Sequence, residues 1–320
     1  RGRFPAAPRL ERSSAAMPTL AAIVLNYNGR DLTLQTVESL LGLTHPDTEI
    51  VVVDNGSTDD SHQAVPAAFP EVTPLRLEEN HGISPGINLG IRYAMRAGHD
   101  YLLILNNDIE VHPEMATELL AVLEGDAGIG CVGPKTYYNA DRNRLWSAGG
   151  IIRFRESVTR ERGMGEIDRG QYDRTEEVDY VNGCAMLVPR RVVERIGLWD
   201  PVYFLGVEDA DWCMRMKRAG LRCWFAHRAL LWHMVSPTTG GYKPGRTFHT
   251  GRSTALFVRR FGSRAQRLAF WLSLAAAIPA AYLRELPRGN QAAAVAKLRG
   301  ALEGWRAPLG APPAWEPAEG

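Results

Sequence analysis

Hydrophobic and polar residues alternate in blocks along the first third of the chain. Short apolar runs rich in aliphatic side chains occupy residues 20–25, 49–54, 72–77 and 101–105. Segments with apolar residues at helical spacing lie between them, as between residues 31 and 41. Strands that alternate with helices predict a parallel, doubly wound sheet. The near-continuous apolar character of the strands indicates burial on both faces of that sheet.

The pattern is less regular after residue 110. It predicts helices at residues 113–123, 190–196 and 209–219, and strands at residues 129–133, 181–188, 221–225 and 230–232. Residues 139–178 are polar and rich in Arg, Gly and Glu, which indicates a loop or hairpin region over a cleft.

Composition excludes several classes of protein. The 320 residues are 45% hydrophobic and 23% charged, typical of a globular protein of one large domain or two. The net charge of +1 argues against nucleic acid as the main partner. The four cysteines show no CxxC spacing, so neither a zinc knuckle nor a redox pair is supported. Free thiols in a reducing cytosol are the simple interpretation.

The two ends of the chain differ from its middle. Residues 1–17 are rich in Arg, Pro, Ala and Ser and predict a disordered leader. Residues 268–283 are largely apolar but too short to span a membrane comfortably. Arginines precede and follow this run, at positions 259, 260, 264, 267, 284 and 288. The segment fits a helix on an anionic membrane surface and an ordinary core helix pair equally well.

The first candidate for chemistry is Asn106-Asn107-Asp108, which ends the fourth apolar run. A buried strand that ends in a carboxylate delivers it to the edge of the sheet where open α/β folds bind ligands. Magnesium and manganese take oxygen ligands and bridge diphosphate oxygens. A simple strand-to-loop turn explains the same residues equally well.

The second candidate is Glu208-Asp209-Ala210-Asp211. A helix start favours acidic residues, but three acids exceed what capping requires, and crowded carboxylates raise one another's pKa. Asp211 can pair with Arg215 one turn later, which leaves Asp209 or Glu208 for the cleft. His233 follows an apolar stretch; a lone histidine is usually structural, yet it would complete a metal site otherwise short of ligands. His227 is a weaker competitor.

Polar turns follow the earlier strands. Asp54 begins a turn-forming cluster, and on its own a turn is favoured over a nucleoside contact. The segment from Asn80 to Asn88 has two glycines that allow close approach of a ligand, and a following helix start that favours phosphate. No G-x-G-x-x-G follows the first strand, which disfavours a dehydrogenase.

Taken in order, these residues resemble glycosyltransferase family 2, the inverting transferases of GT-A fold, and in particular its rhamnosyltransferase-like branch. The resemblance covers roughly residues 19–262. The motifs that carry it are Asn26-Tyr27-Asn28, residues 54–59, Asn80 to Asn88, Asn106-Asn107-Asp108, and residues 197–200 with 208–211.

The resemblance implies a GT-A type α/β fold, with a Rossmann-like, doubly wound, mostly parallel sheet, an acceptor-side subregion and C-terminal helices. Residues 18–262 would form the catalytic domain, with a nucleotide-binding half (18–110) and an acceptor-binding half (111–262). Residues 139–178 would shape the choice of acceptor. Residues 263–320 would form a helical segment with the membrane-surface alternative described above.

The resemblance also implies a role for each matched residue. Asp209 would be the catalytic base, and Asp108 and His233 would bind Mn²⁺ or Mg²⁺. The nucleotide-binding set comprises Asn26, Tyr27, Asn28, Asp54, Asn80, Gly86, Asn88, Asn106 and Asn107. The set for the sugar or acceptor comprises Trp199, Asp200, Glu208, Asp211 and Trp212. Asn106 replaces the first acid of the DXD-type motif, so we expect modest metal affinity that depends on bound nucleotide.

The function implied is transfer of a sugar from a UDP- or dTDP-sugar, dTDP-rhamnose among them, to a glycan or lipid-linked acceptor in bacterial surface polysaccharide synthesis. The expected location is the cytoplasm, including the inner face of the cytoplasmic membrane. Two alternatives stay open: a non-catalytic nucleotide-sugar or glycan-binding module, and a sugar-nucleotide nucleotidylyltransferase. The second would need a basic, glycine-rich loop after the first strand, where only Arg30 is basic. The oligomeric state is not predicted.

Overall fold

A computed structural model describes residues 18–235 and 242–316. The predicted leader at residues 1–17 therefore lies outside the described residues. The strands, in chain order, are β1 (Leu20–Asn26), β2 (Thr48–Asn55), β3 (Thr73–Leu77), β4 (Tyr101–Asn106), β5 (Ile109–Val111), β6 (Ile129–Tyr138), β7 (Asp141–Ser147), β8 (Gly150–Ile152), β9 (Thr159–Glu161), β10 (Glu176–Val178), β11 (Ala185–Pro189) and β12 (Arg222–His233).

Helices connect these strands and continue after them. They are α1 (Arg30–Leu41), α2 (Ser61–Ala68), α3 (Ile83–Ala97), α4 (Met115–Glu124), α5 (Arg190–Ile196), α6 (Glu208–Arg218), α7 (Pro244–Phe261), α8 (Arg264–Glu285) and α9 (Gln291–Arg306). The elements predicted before residue 110 are all present, within a few residues of their predicted bounds.

The main sheet has the strand order β10-β12-β6-β11-β4-β1-β2-β3. Strands β3, β2, β1 and β4 run parallel, as the βα alternation predicts. Strand β11 is inserted antiparallel between β4 and β6, whereas β12 runs parallel to β6. The fold is thus α/β with a mostly parallel central sheet, and the sheet continues from the first half of the chain into the second without a break.

The parallel strands are buried because helices cover both faces of the sheet. Leu20, Ile23, Val51 and Leu103 are fully excluded from solvent, and apolar side chains form one core cluster on each face. Helix α3 packs closely on β1, since a Cβ at position 90 would clash with the side chain of Ile23. Burial on both faces explains the continuous apolar strands.

Four features differ from the sequence-based expectation. Residues 221–225 and 230–232 form one strand, β12, with an irregularity between Ala226 and Leu230. Residues 139–178 contain the short strands β7 to β10, and β8 and β9 form a separate two-stranded sheet. The short strand β5 and the helix α7 were not predicted. None of the helices in the described residues combines the length and the apolar character needed to cross a membrane.

Candidate active site

Asp108 and His233 meet at the carboxyl end of β4. Asp108 lies between β4 and β5, and β5 pairs antiparallel with the last residues of β12, which end at His233. The backbone N–H of Met234 donates to the carbonyl oxygen of Asp108 at 2.8 Å. The Nε2 atom of His233 lies 3.1 Å from Oδ1 of Asp108. The sheet therefore fixes both side chains from two distant parts of the sequence.

The donor atoms of this pair fit a divalent cation. The 3.1 Å between the two atoms is also a hydrogen-bonding distance, so the fit rests on the kind of donor atom that each side chain offers. Oxygen and imidazole nitrogen are both ligands that Mn²⁺ accepts. Among the described residues, Nδ1 of His233 has no hydrogen-bond partner, and the ring packs edge-on against Trp146 with centroids 4.5 Å apart.

Asp209 lies in the first turn of α6, and the backbone just before this helix is strained. Val207, the residue before the helix, has a φ of 64°, which is rare for a β-branched residue and typical of functional sites. The side chain of Asp209 is half-buried, and its Oδ2 accepts the Gly183 N–H at 2.8 Å. Burial raises the pKa of Asp209 to about 6, a value suited to a general base near neutral pH.

Glu208 is the more deeply buried neighbour. Only 6% of its surface is exposed, and its Oε2 has no hydrogen-bond partner among the described residues. Burial and the charge of Asp209 raise its pKa to about 8. Two adjacent carboxyls with pKa values pushed apart are typical of catalytic sites.

Residues 182–184 form a short segment that contacts both the end of β4, next to Asp108, and the side chain of Asp209. The Asn106 N–H, at the end of β4, donates to the carbonyl of Cys184 at 3.1 Å. Next to Cys184, the N–H of Gly183 donates to Asp209. Burial, with the charge of Asp108 as the next contribution, raises the pKa of the Cys184 thiol well above its usual value. Asp108 and Asp209 therefore both lie near residues 182–184.

The polar residues after β1 and β2 bind one another. The amide of Asn26 donates to Asp54 at 3.0 Å and to Ser61 at 2.8 Å. Asp54 is 4% exposed and also lies 3.4 Å from the guanidinium of Arg76. The Asn107 amide donates to Asn26 at 3.0 Å. This network holds the loop ends together, and it occupies Asn26 and Asn107 rather than leaving them free for a ligand.

Other predicted nucleotide-binding residues shape the loops. Asn28, with a φ of 52°, accepts the N–H of Thr58 at 2.7 Å, and Asn80 accepts the N–H of Gly82 at 2.8 Å. Tyr27 is 46% exposed, and Asn106 is half-buried at the end of β4. These four residues surround the edge of the sheet where ligands bind in such folds.

Two further residues of the nucleotide-binding set, Asn88 and Gly86, are also structural, which corrects the prediction. Asn88 is 3% exposed, and its amide donates to the carbonyl of Trp199 while accepting the Trp199 N–H, at 2.8 and 2.9 Å. Gly86 is buried, and a Cβ there would clash with Leu25. The start of α3 is also closed to phosphate, since the Ile83 N–H donates to the carbonyl of Phe204 at 3.0 Å.

The predicted sugar or acceptor set also needs correction. Trp199 and Trp212 are 1% and 0% exposed and pack against each other in the core. Asp200 and Asp211 are buried and share Arg260, at 2.6 and 2.7 Å. These four residues tie α6 and α7 to the loop before α6 and cannot reach a ligand directly. Glu208 is the member of this set that directly precedes the candidate base in the chain.

Two groups of residues were missed by sequence reasoning. Glu161 on β9 is 9% exposed, and burial raises the pKa of its carboxyl, with the charge of Asp209 as a smaller contribution. Cys131, Cys213 and Cys223 are buried, with sulfur atoms within 4.8 Å of one another. No fourth ligand joins these thiols in the described part of the chain, and we interpret them as core packing. Their wide spacing in the sequence gave no signal.

Comparison with known proteins gives a consistent result. A low-salt glycan biosynthesis hexosyltransferase from Haloferax volcanii, Agl10, is 27% identical over 209 residues, covering 63% of this chain and 62% of the relative. The dTDP-rhamnosyl transferase RfbF of Shigella flexneri is 24% identical over 201 residues, covering 62% and 64%. The chain thus spans a little under two thirds of these two relatives. An N-acetylglucosaminyl-diphospho-decaprenol L-rhamnosyltransferase of Mycobacterium tuberculosis is 23% identical over 256 residues, covering 75% and 83%.

Solved structures agree on the fold. A mannosyltransferase from Pyrobaculum calidifontis, in complex with GDP-Man and Mn²⁺, superposes with a TM-score of 0.56 at 17% identity, covering 91% of this chain and 88% of that one. This confirms the GT-A type fold predicted above. The model of the family described as "Glycosyl transferase family 2" matches residues 21–197, more than half of the chain. The chain therefore belongs to glycosyl transferase family 2.

Proposed function

We propose that this protein is a metal-dependent, inverting glycosyltransferase that moves a sugar from a UDP- or dTDP-sugar to a hydroxyl group of a glycan or lipid-linked acceptor. The observation that carries the proposal is that Asp108 and Asp209 both border residues 182–184: the charge of Asp108 acts on Cys184, and Asp209 accepts the Gly183 N–H. A cation site and a base at one sheet edge are the two groups that such a transfer needs.

Each residue of the site has a defined task in this reaction. Asp108 and His233 would hold a divalent ion, which would supply positive charge to the diphosphate of the donor. Asp209 accepts the proton of the acceptor hydroxyl as that oxygen forms a bond to the anomeric carbon. The bond from that carbon to the diphosphate breaks at the same time, and the nucleoside diphosphate leaves. Attack from the face opposite the leaving group inverts the anomeric centre.

The donor class rests on the relatives. Two of them are named as a dTDP-rhamnosyl transferase and an L-rhamnosyltransferase, so we propose dTDP-rhamnose as the first donor to test and bacterial surface polysaccharide as the product. Asp54, beside Arg76 at the edge of the sheet, is proposed to contact the nucleoside. Tyr27, Asn28, Asn80 and Asn106 complete the proposed nucleotide side.

We also propose that the protein works in the cytoplasm, at the surface of an anionic membrane, through α8. Leu268, Leu272 and Leu283 are 61%, 63% and 66% exposed, and their spacing places them on one face of the helix. Arg264 lies in the first turn of α8 and Arg284 in its last turn. The acid of α8, Glu285, is buried and paired with Arg284. An apolar face flanked by arginines complements an anionic lipid surface.

A donor panel tests the proposed activity. UDP-, dTDP- and GDP-sugars are added to the protein with and without MnCl₂, and the melting temperature and the release of nucleoside diphosphate are measured. Binding to the folded state raises stability by mass action. We expect one UDP- or dTDP-sugar, dTDP-rhamnose first, to give the largest manganese-dependent rise together with nucleotide release. Equal shifts with and without manganese for every donor would contradict the metal site, and binding without release would favour a binding module.

A further inference from the structure

Glu161 is a buried carboxyl that accepts several hydrogen bonds and, among the described residues, has no cationic side chain as a partner. Its oxygens accept from the hydroxyl of Tyr180, from Ser147 Oγ at 2.5 Å and from the amide of Asn182 at 2.9 Å. No ion pair to Glu161 occurs within the described residues, and the guanidinium of the adjacent Arg162 binds Glu176 instead. Burying a carboxyl without a cationic partner lowers the free energy of unfolding, and hydrogen bonds offset this loss in part. A task for these hydrogen bonds would explain why the carboxyl is kept.

The hydrogen bonds of Glu161 lead to the candidate base. Asn182, which donates to Glu161, also accepts the N–H of Cys184 at 3.1 Å. The peptide between these two residues carries the Gly183 N–H, which donates to Asp209 at 2.8 Å. The orientation of this N–H therefore depends on the side chain of Asn182, and that side chain is held by Glu161.

We propose that Glu161 is a positioning residue that orients residues 182–184, so that the Gly183 N–H holds the carboxylate of Asp209 in place. This inference rests on the proposed function of Asp209 as the base. It gives the β8–β9 hairpin a task in catalysis that no motif of the chain indicates. The titratable groups that face Glu161 are Tyr180, Cys184 and Asp209.

The test compares Glu161→Gln and Asn182→Ala with wild type. The donor chosen by the panel and MnCl₂ are used, with water as the acceptor, and nucleoside diphosphate release is followed from pH 5 to pH 9. In wild type, the Gly183 N–H stabilises the ionised form of Asp209. We expect both variants to free the peptide that carries this N–H, so that the stabilisation is lost. We expect kcat to fall about tenfold, the KM for the donor to stay unchanged, and the acidic limb of the profile to move up by about one pH unit.

The direction in which the acidic limb moves distinguishes a positioning role of Glu161 from an effect of its charge. If Glu161 acted through its charge alone, Glu161→Gln would move the acidic limb downward and Asn182→Ala would leave it in place, and either result overturns the proposal. Glu166→Gln is the matched control: Glu166 accepts from Tyr172 on the exposed side of the same hairpin region, and its loss should leave the profile unchanged. Should Glu161→Gln fail to fold, Asn182→Ala alone decides, with a wild-type profile as the overturning result.

Failure of this inference is distinguishable from failure of the proposed function. Asp209→Asn is measured in the same assay. Wild-type release by Asp209→Asn would remove the base itself, and the function with it. Loss of release by Asp209→Asn together with wild-type behaviour of both Glu161→Gln and Asn182→Ala would remove only the positioning role.

Discussion

The imidazole of His233 lies 3.1 Å from the carboxylate of Asp108, although 125 residues separate them in the chain. Strand pairing produces this relationship. Strand β5 begins directly after Asp108 and pairs with the end of β12, which contains His233. Both side chains are less than 10% exposed. The pair lies at the end of a buried strand, where we propose that it binds a divalent cation.

His233→Ala should weaken the manganese-dependent part of donor binding. Asp108 alone leaves the ion with one protein ligand, and we expect the affinity for manganese in the presence of donor to fall at least tenfold to a hundredfold. Isothermal titration with Mn²⁺ measures this directly. His227→Ala is the control, since His227 lies on the same strand but binds Thr175. Equal losses in the two variants would show that the effect is not specific to the pair.

Arg260→Met should strongly destabilise the fold. Arg260 joins α7 to the buried carboxylates of Asp200 and Asp211, and its loss leaves both without this partner in a low-dielectric interior. The expected cost is about 3–5 kcal/mol in the free energy of unfolding, measured by urea denaturation. Arg142→Met, at the exposed pair with Glu110, should cost less than about 1 kcal/mol. Similar costs for the two variants would refute the structural role assigned to Asp211.

Leu268→Ser combined with Leu272→Ser should weaken binding to anionic vesicles without loss of donor binding. Each exposed leucine that enters the lipid boundary contributes about 1.5–3 kcal/mol, so the double variant should bind at least tenfold more weakly. Sedimentation with vesicles containing phosphatidylglycerol measures the affinity, with neutral vesicles as the comparison. If wild type ignores both vesicles and instead forms a dimer that the double variant lacks, α8 binds a second copy of the chain.

The dependence of transfer on pH should report Asp209. The base acts when ionised, and its pKa is raised to about 6. We therefore expect kcat/KM to rise with pH up to about 6 and to level off above it, with a tenfold loss for each unit below. An acidic limb of the profile near pH 4, the ordinary pKa of an aspartate, would mean that the carboxyl of Asp209 is not desolvated in the site.

The first half of the fold could be predicted because its signals are local. Continuous apolar strands and helical spacing depend on neighbouring residues, and each predicted strand before residue 106 is present. Strand β11 begins at Ala185 instead of Val181. The reason is not visible in the sequence: the Gly183 N–H binds Asp209, and the Cys184 N–H binds the side chain of Asn182.

The candidate site could be predicted only in part. The sequence pointed to Asp108, His233 and Asp209, because acids at strand ends and helix starts are conspicuous. It misjudged Asn88, whose partner is the backbone of Trp199, 111 residues away. It missed Glu161 because the polar segment 139–178 has no periodicity. Long-range contacts of single polar side chains decide these cases, and a sequence pattern does not contain them.

The rate of sugar transfer by Asp209→Asn tests the central claim most directly. Asparagine preserves the size of the side chain and can still accept the Gly183 N–H, but it cannot take a proton from the acceptor. We predict that this variant binds the nucleotide donor with manganese as tightly as wild type, while transfer falls by a factor of about 100 or more. Transfer at the wild-type rate would contradict the account, since the proton would then leave by another route.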